Sequence, residues 1–101
     1  MLARASKETC RYHVNGMRFC LAVDHGEWRR ATTRDPAAAV LALAVLADHI
    51  GLDSLWLNED PDGWDAFAIL GAIAAVTSRL RLGPGVTNPY QRHPNLLAAS
   101  V

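Results

Sequence analysis

The apolar residues fall into short runs of strand length separated by longer stretches of helical length. Phe19-Cys20-Leu21-Ala22-Val23 is the first compact run, opened by Met17-Arg18, and reads as a strand. After the polar loop 24–33, Asp35-Pro36 supplies an N-cap followed by proline at the first helical position. Pro36 to Ala47 is uniformly apolar, Val40, Leu43, Val45, Leu46 and Ile50 give a broad apolar face, and Gly51 supplies the stop, so a helix is predicted over 36–50. Asp53-Ser54-Leu55-Trp56-Leu57 is the next strand. Asn58 to Gly63 is an acidic, turn-rich loop, and Asp65 caps a second helix from Ala66 to about Ser78. Leu80-Arg81-Leu82 begins a third strand, and Pro94 begins a third helix.

Strand–helix alternation of this kind implies an α/β fold of parallel strands joined by right-handed crossovers. Phe19, Leu55 and Leu82 each mark one βα unit, the first with an enlarged loop. Residues 1–16 show no period and read as a polar N-terminal extension ahead of a domain at 17–101. Either Met17 is the native start or 1–16 is a loose extension, which a peptide map of the N-terminus distinguishes. The third helix is too short at Val101 to cover its strand, so the expectation is the N-terminal part of a longer α/β chain.

Composition narrows the classes. A chain of 101 residues holds one small domain, and with half its residues apolar it is globular. Ten basic and ten acidic residues cancel, which speaks against a nucleic-acid groove or an anionic membrane surface as partner. The longest apolar run falls short of the ~20 residues of a membrane span, and no hydrophobic signal core opens the chain, so the cytoplasm is the expected location. Cys10 and Cys20 fit no metal or disulfide spacing and read as reduced thiols, Cys20 as a small buried residue in the first strand.

The segment Leu82-Gly83-Pro84-Gly85-Val86-Thr87-Asn88-Pro89-Tyr90-Gln91-Arg92-His93-Pro94 is the most specific. Two glycines free the backbone where an apolar strand ends, and prolines fix its course towards a helix. Together with Met17-Arg18-Phe19, His49-Ile50-Gly51-Leu52-Asp53-Ser54-Leu55-Trp56 and Ala74-Ala75-Val76-Thr77-Ser78-Arg79-Leu80-Arg81-Leu82-Gly83, it resembles the luciferase-like flavin or deazaflavin oxidoreductases. It is most similar to the branch with methylene-tetrahydromethanopterin reductases and other coenzyme F420 enzymes. The resemblance implies about three N-terminal βα units of a (β/α)8 TIM barrel, incomplete as a barrel here. It implies hydride transfer at a flavin-like ring over the C-terminal strand ends, with coenzyme F420 as cofactor, a small-molecule substrate, and a homodimer formed through barrel helices in the intact enzyme. An FMN-dependent monooxygenase of the same fold is the alternative. A reading of another class is a non-catalytic truncated remnant that associates with a partner, since three parallel strands leave two bare edges. The 101-residue chain alone is expected to be inactive.

The resemblance also proposes site residues. Gly85 and Val86 are expected to form a non-proline cis peptide that backs the ring; an ordinary glycine-containing strand end is the plain alternative. Thr87 and Asn88 either bond the ring's polar edge or serve a local turn before Pro89. Asn58, Glu59 and Asp60 end the second strand. Asn58 is placed with the cofactor, and Glu59 and Asp60 with proton handling, against the alternative of a solvated acidic loop. His25 is a cofactor or substrate contact or only a loop histidine. Trp64 roofs the ring or anchors the start of the second helix. Arg92-His93 attracts an anionic tail or is an exposed charged turn, His93 then capping the helix begun by Pro94. Ala68, Gly71, Ala72 and Ala75 form a small-residue strip that packs on the chain's own sheet or meets a second copy.

Overall fold

A computed structural model describes residues 16–24, 35–61 and 63–100. The extension before residue 16, Cys10 and His25 lie outside the described residues. The elements are β1 (Cys20–Val23), α1 (Pro36–Ile50), β2 (Ser54–Leu57), α2 (Ala66–Val76), β3 (Arg81–Pro84) and α3 (Pro94–Ser100). The strands form one open sheet, order β1-β2-β3, parallel at both pairings. Register places Ala22, Trp56 and Gly83 in one row, and Val23, Leu57 and Pro84 in the next. All three strands therefore end at the same edge, and the segments after β2 and β3 emerge side by side.

The helices begin and end where their caps dictate. Asp35 accepts from the Ala38 amide at 3.0 Å ahead of Pro36. Gly51 closes α1 in the left-handed region (φ 86°), where a side chain is disfavoured, while its N–H and that of Leu52 return to the Ala47 carbonyl. Asp65 caps α2 by accepting from Phe67 and Ala68 at 2.9 and 3.3 Å. That helix stops at Val76, two residues before the predicted end, because Thr77 turns extended and its N–H and hydroxyl both bond the Ile73 carbonyl.

The core lies on one face of the sheet. Leu55, Leu57 and Val23 pack with Val40, Ala44 and Ala47 of α1 and Ala66, Leu70 and Ile73 of α2. Leu55, Leu57, Val40 and Ile73 are fully buried, each removed from water for about 1.5–3 kcal/mol of hydrophobic stabilisation. The other face presents Cys20, Ala22 and Trp56. Cys20 is thus exposed rather than buried, because the strand's period of two turns it away from the helices. Ala68, Gly71, Ala72 and Ala75 are likewise exposed: Leu70 and Ile73 take the sheet side of α2, so the small-residue strip faces outward. Among the described residues, no helix is long and apolar enough to cross a membrane.

At the edge opposite the strand tips, Asp48 at the end of α1 gathers the start of β3. Its carboxylate accepts from the amides of Ser78, Arg79 and Leu80 at 3.0, 3.0 and 2.9 Å and from the Ser78 hydroxyl at 3.3 Å. The Arg79 guanidinium donates to the Asp48 carbonyl. Partial burial acts to raise the Asp48 carboxyl, but these hydrogen bonds outweigh it and hold it below the ordinary carboxylate range.

Candidate functional site

The ladder between β2 and β3 continues past the strands. Gly85 N–H donates to the Leu57 carbonyl at 2.8 Å, and Glu59 N–H donates to the Val86 carbonyl at 3.0 Å. The peptide between Gly85 and Val86 is cis, as the resemblance implies. Val86 is 76% exposed, so the tip of β3 offers an apolar side chain and bare glycine backbone to the space above the sheet.

Trp56 accounts for the glycines. Its Nε1 donates to Ser54 Oγ at 3.1 Å, and its ring lies against β3. A Cβ on Gly83 would stand 2.8 Å from the Trp56 ring, and one on Gly85 would stand 3.3 Å from it. Both glycines therefore let β3 lie against an indole that itself remains 44% exposed. Trp56, Gly85 and Val86 make an exposed apolar step at the strand ends.

Glu59 organises the polar side of that step. Its Oε2 accepts from the Thr87 hydroxyl at 2.6 Å and from Asn88 N–H at 2.9 Å; its Oε1 accepts from Arg92 Nε at 3.2 Å. The Thr87 hydrogen bond, foremost, with those from Asn88 and Arg92, holds the Glu59 carboxyl below the ordinary glutamate value against the opposing effect of burial. The side chain is only 5% exposed, so the solvated-loop alternative does not describe it. A carboxylate held ionised by three donors is suited to fixing backbone; a general acid or base near neutrality needs a raised value.

Arg92 is no exposed charged turn. Its side chain is 12% exposed, donates to both Glu59 and Asp65, and lies over the Phe67 ring with 4.5 Å to the centroid. The sequence offered no signal for this, since the partners are 33 and 27 residues away. His93 takes the capping role, its Nδ1 accepting from Asn95 N–H at 3.2 Å. Asn88 Oδ1 accepts from Tyr90 N–H at 3.0 Å, the local turn expected of Asn before proline. Asn58 Nδ2 donates to Asp24 Oδ1 at 3.3 Å, which ties the β1 and β2 tips together. Asp60 and Trp64 line a cleft of about 290 Å³ with Glu59, Asp65, Gln91 and Arg92. Trp64 is 37% exposed there and is not part of the buried core.

The structure therefore brings Asn58, Glu59, Asp60, Gly85, Val86, Thr87 and Asn88 to one edge of the sheet, with Arg92 added to them. Comparison with known proteins gives the site a context. A family model described as luciferase-like monooxygenase matches residues 17–101. The 5,10-methylenetetrahydromethanopterin reductase of Methanolobus tindarius is 34% identical over 67 residues, covering 66% of this chain and 21% of that protein. The reductase of the same name from Methanopyrus kandleri is 31% identical over 67 residues, covering 66% and 19%. That from Archaeoglobus fulgidus is 36% identical over 56 residues, covering 55% and 17%. The chain spans about a fifth of the length of these curated relatives.

Proposed function

The chain belongs to the luciferase-like monooxygenase family, and from that premise we propose that it supplies the ring-facing first part of a deazaflavin-dependent oxidoreductase that carries out hydride transfer. The observation that carries this reading is the exposed apolar step of Trp56, Gly85 and Val86 at the C-terminal strand ends. An exposed indole and an exposed Val86 side chain side by side suit the apolar face of a planar heteroaromatic ring such as that of coenzyme F420. Position at the C-terminal ends of parallel strands agrees with where barrel enzymes bind their reactants.

Bound there, the cofactor would supply hydride chemistry, and the protein supplies position and electrostatics. Gly85 and Val86 would back the ring, and Thr87 and Asn88, held by Glu59, with Asn58 on the β2 side, would hold its polar edge. We assign proton handling to Asp60, which lines the adjoining cleft, whereas Glu59 serves to hold the β3 tip. The exposed strip of Ala68, Gly71, Ala72 and Ala75 supports a homodimer contact through α2, which sedimentation equilibrium of the full-length protein checks.

Titration of the full-length protein with F420 and with FMN, followed by fluorescence, tests the reading. Saturable F420 binding with weak or no FMN binding is expected. Tight FMN binding alone would point to the monooxygenase, and binding of neither would favour a non-catalytic remnant.

A further inference from the structure

We propose that Arg92 is a positioning residue that locks the Thr87–Asn88 tip of β3 through Glu59. Its consequence for cofactor binding rests on the functional reading above; the lock itself does not.

The tip has few restraints of its own. The β2–β3 ladder reaches the tip only through Gly85 N–H and the Val86 carbonyl, and Tyr90 beyond it is 97% exposed. Beyond the turn's own bonds to Asn88 from Tyr90 and Gln91, Thr87 and Asn88 are tied back to the end of β2 by one carboxylate: the Thr87 hydroxyl and the Asn88 N–H both donate to Glu59 Oε2. That carboxylate sits at the end of a side chain with rotamers of its own. Its second oxygen is held by Arg92 Nε.

Arg92 can act as the fixed end because it is itself gripped from two other directions. Its terminal nitrogen pairs with Asp65, which is bound in turn to the first-turn amides of α2, and its guanidinium plane lies on Phe67 of that same turn. A planar fork meets two carboxylates and a ring at once, which a lysine ammonium cannot do. Restraint therefore passes from the α2 N-terminus to Arg92, to Glu59, and to the Asn88 amide. The Glu59 carboxyl is lowered partly by Arg92, consistent with a pair that is coupled in the folded protein.

Arg92 could instead serve only the α2 cap through Asp65, and the two roles make different predictions for different amides. In the full-length protein without cofactor, amide hydrogen exchange is followed by NMR in wild type, Arg92→Lys and Arg92→Met. A lock on the tip raises Asn88 exchange at least tenfold in Arg92→Met, with Arg92→Lys intermediate, while the amides of Leu55 and Leu57 stay protected. F420 affinity then falls about tenfold in Arg92→Met and less in Arg92→Lys. Faster exchange confined to Phe67 and Ala68, with Asn88 within twofold of wild type, would overturn the proposal. If Arg92→Met does not fold, Arg92→Lys decides by the same Asn88 criterion. Should wild type bind neither F420 nor FMN while Asn88 responds as expected, the lock stands and the oxidoreductase reading falls.

Discussion

Asp48 carries the sharpest test of how this fold is held. Replacing it with alanine removes the acceptor for the amides of Ser78, Arg79 and Leu80 and for the Ser78 hydroxyl. Hydrogen bonds to a charged acceptor contribute about 1.5–3 kcal/mol each when water cannot replace them. Ser78 and Arg79 are exposed, so water substitutes there and each loss falls to a few tenths by the reasoning for solvated groups. Leu80 is 7% exposed, so its amide is left without a partner at a cost of about 1–3 kcal/mol. Asp48→Ala should therefore destabilise the protein by about 2–3 kcal/mol. Asp48→Asn keeps one acceptor oxygen for Arg79 and Leu80 but turns an NH₂ towards the Ser78 amide, and should cost about 1 kcal/mol.

Urea unfolding followed by tryptophan fluorescence reads both variants as a lower midpoint at unchanged slope. The sign of the pH dependence follows from the depressed carboxyl. Asp48 loses its proton more readily folded than unfolded. Its contribution is complete above the unfolded value of about 3.9 and is lost as pH falls through the lower folded value. The gap between wild type and Asp48→Asn should thus narrow below about pH 4. An Asp48→Ala variant within 0.5 kcal/mol of wild type at pH 7, on the ~1 kcal/mol scale of one hydrogen bond, would refute the clamp.

Three further outcomes are expected. Glu59→Gln keeps the shape of the side chain but removes charge from its bonds to Thr87 and Asn88, at about 1 kcal/mol each, for a loss of about 2 kcal/mol in urea unfolding. Because the Glu59 carboxyl is also lowered on folding, this variant should show a shallower acid limb below about pH 4.3. Gly83→Ala pushes a methyl to 2.8 Å from the Trp56 ring and must disturb the Trp56–Ser54 hydrogen bond; a loss of about 1–3 kcal/mol and altered Trp emission are expected, with Gly85→Ala milder. Gly71→Ala meets nothing within 4 Å and lies inside α2, so thermal unfolding should show a gain of about 0.5–1 kcal/mol from helix propensity.

The amino-acid sequence alone determined the alternation of strands and helices and most of their ends. Caps such as Asp35, Gly51 and Asp65 act on neighbours within a few residues, and the apolar runs have the length and period of the elements they form. Parallel pairing follows from that alternation, and the glycine- and proline-rich run 82–94 was legible as the tip of a strand leading to a helix. Which face each residue takes was harder to read. Cys20 and the strip Ala68, Gly71, Ala72 and Ala75 face away from the core because Leu21, Val23, Leu70 and Ile73, one or two positions away, claim it. Glu59 and Arg92 read equally well as solvated loop charges, since local sequence carries no mark of a partner some thirty residues distant. Only the parallel sheet, by ending β2 and β3 at one edge, sets Glu59 beside Thr87, Asn88 and Arg92 and lays Trp56 against Gly83 and Gly85. The physical reason is range: capping and periodicity act within a turn, whereas the site is assembled from loops that meet only after the core beneath them has packed.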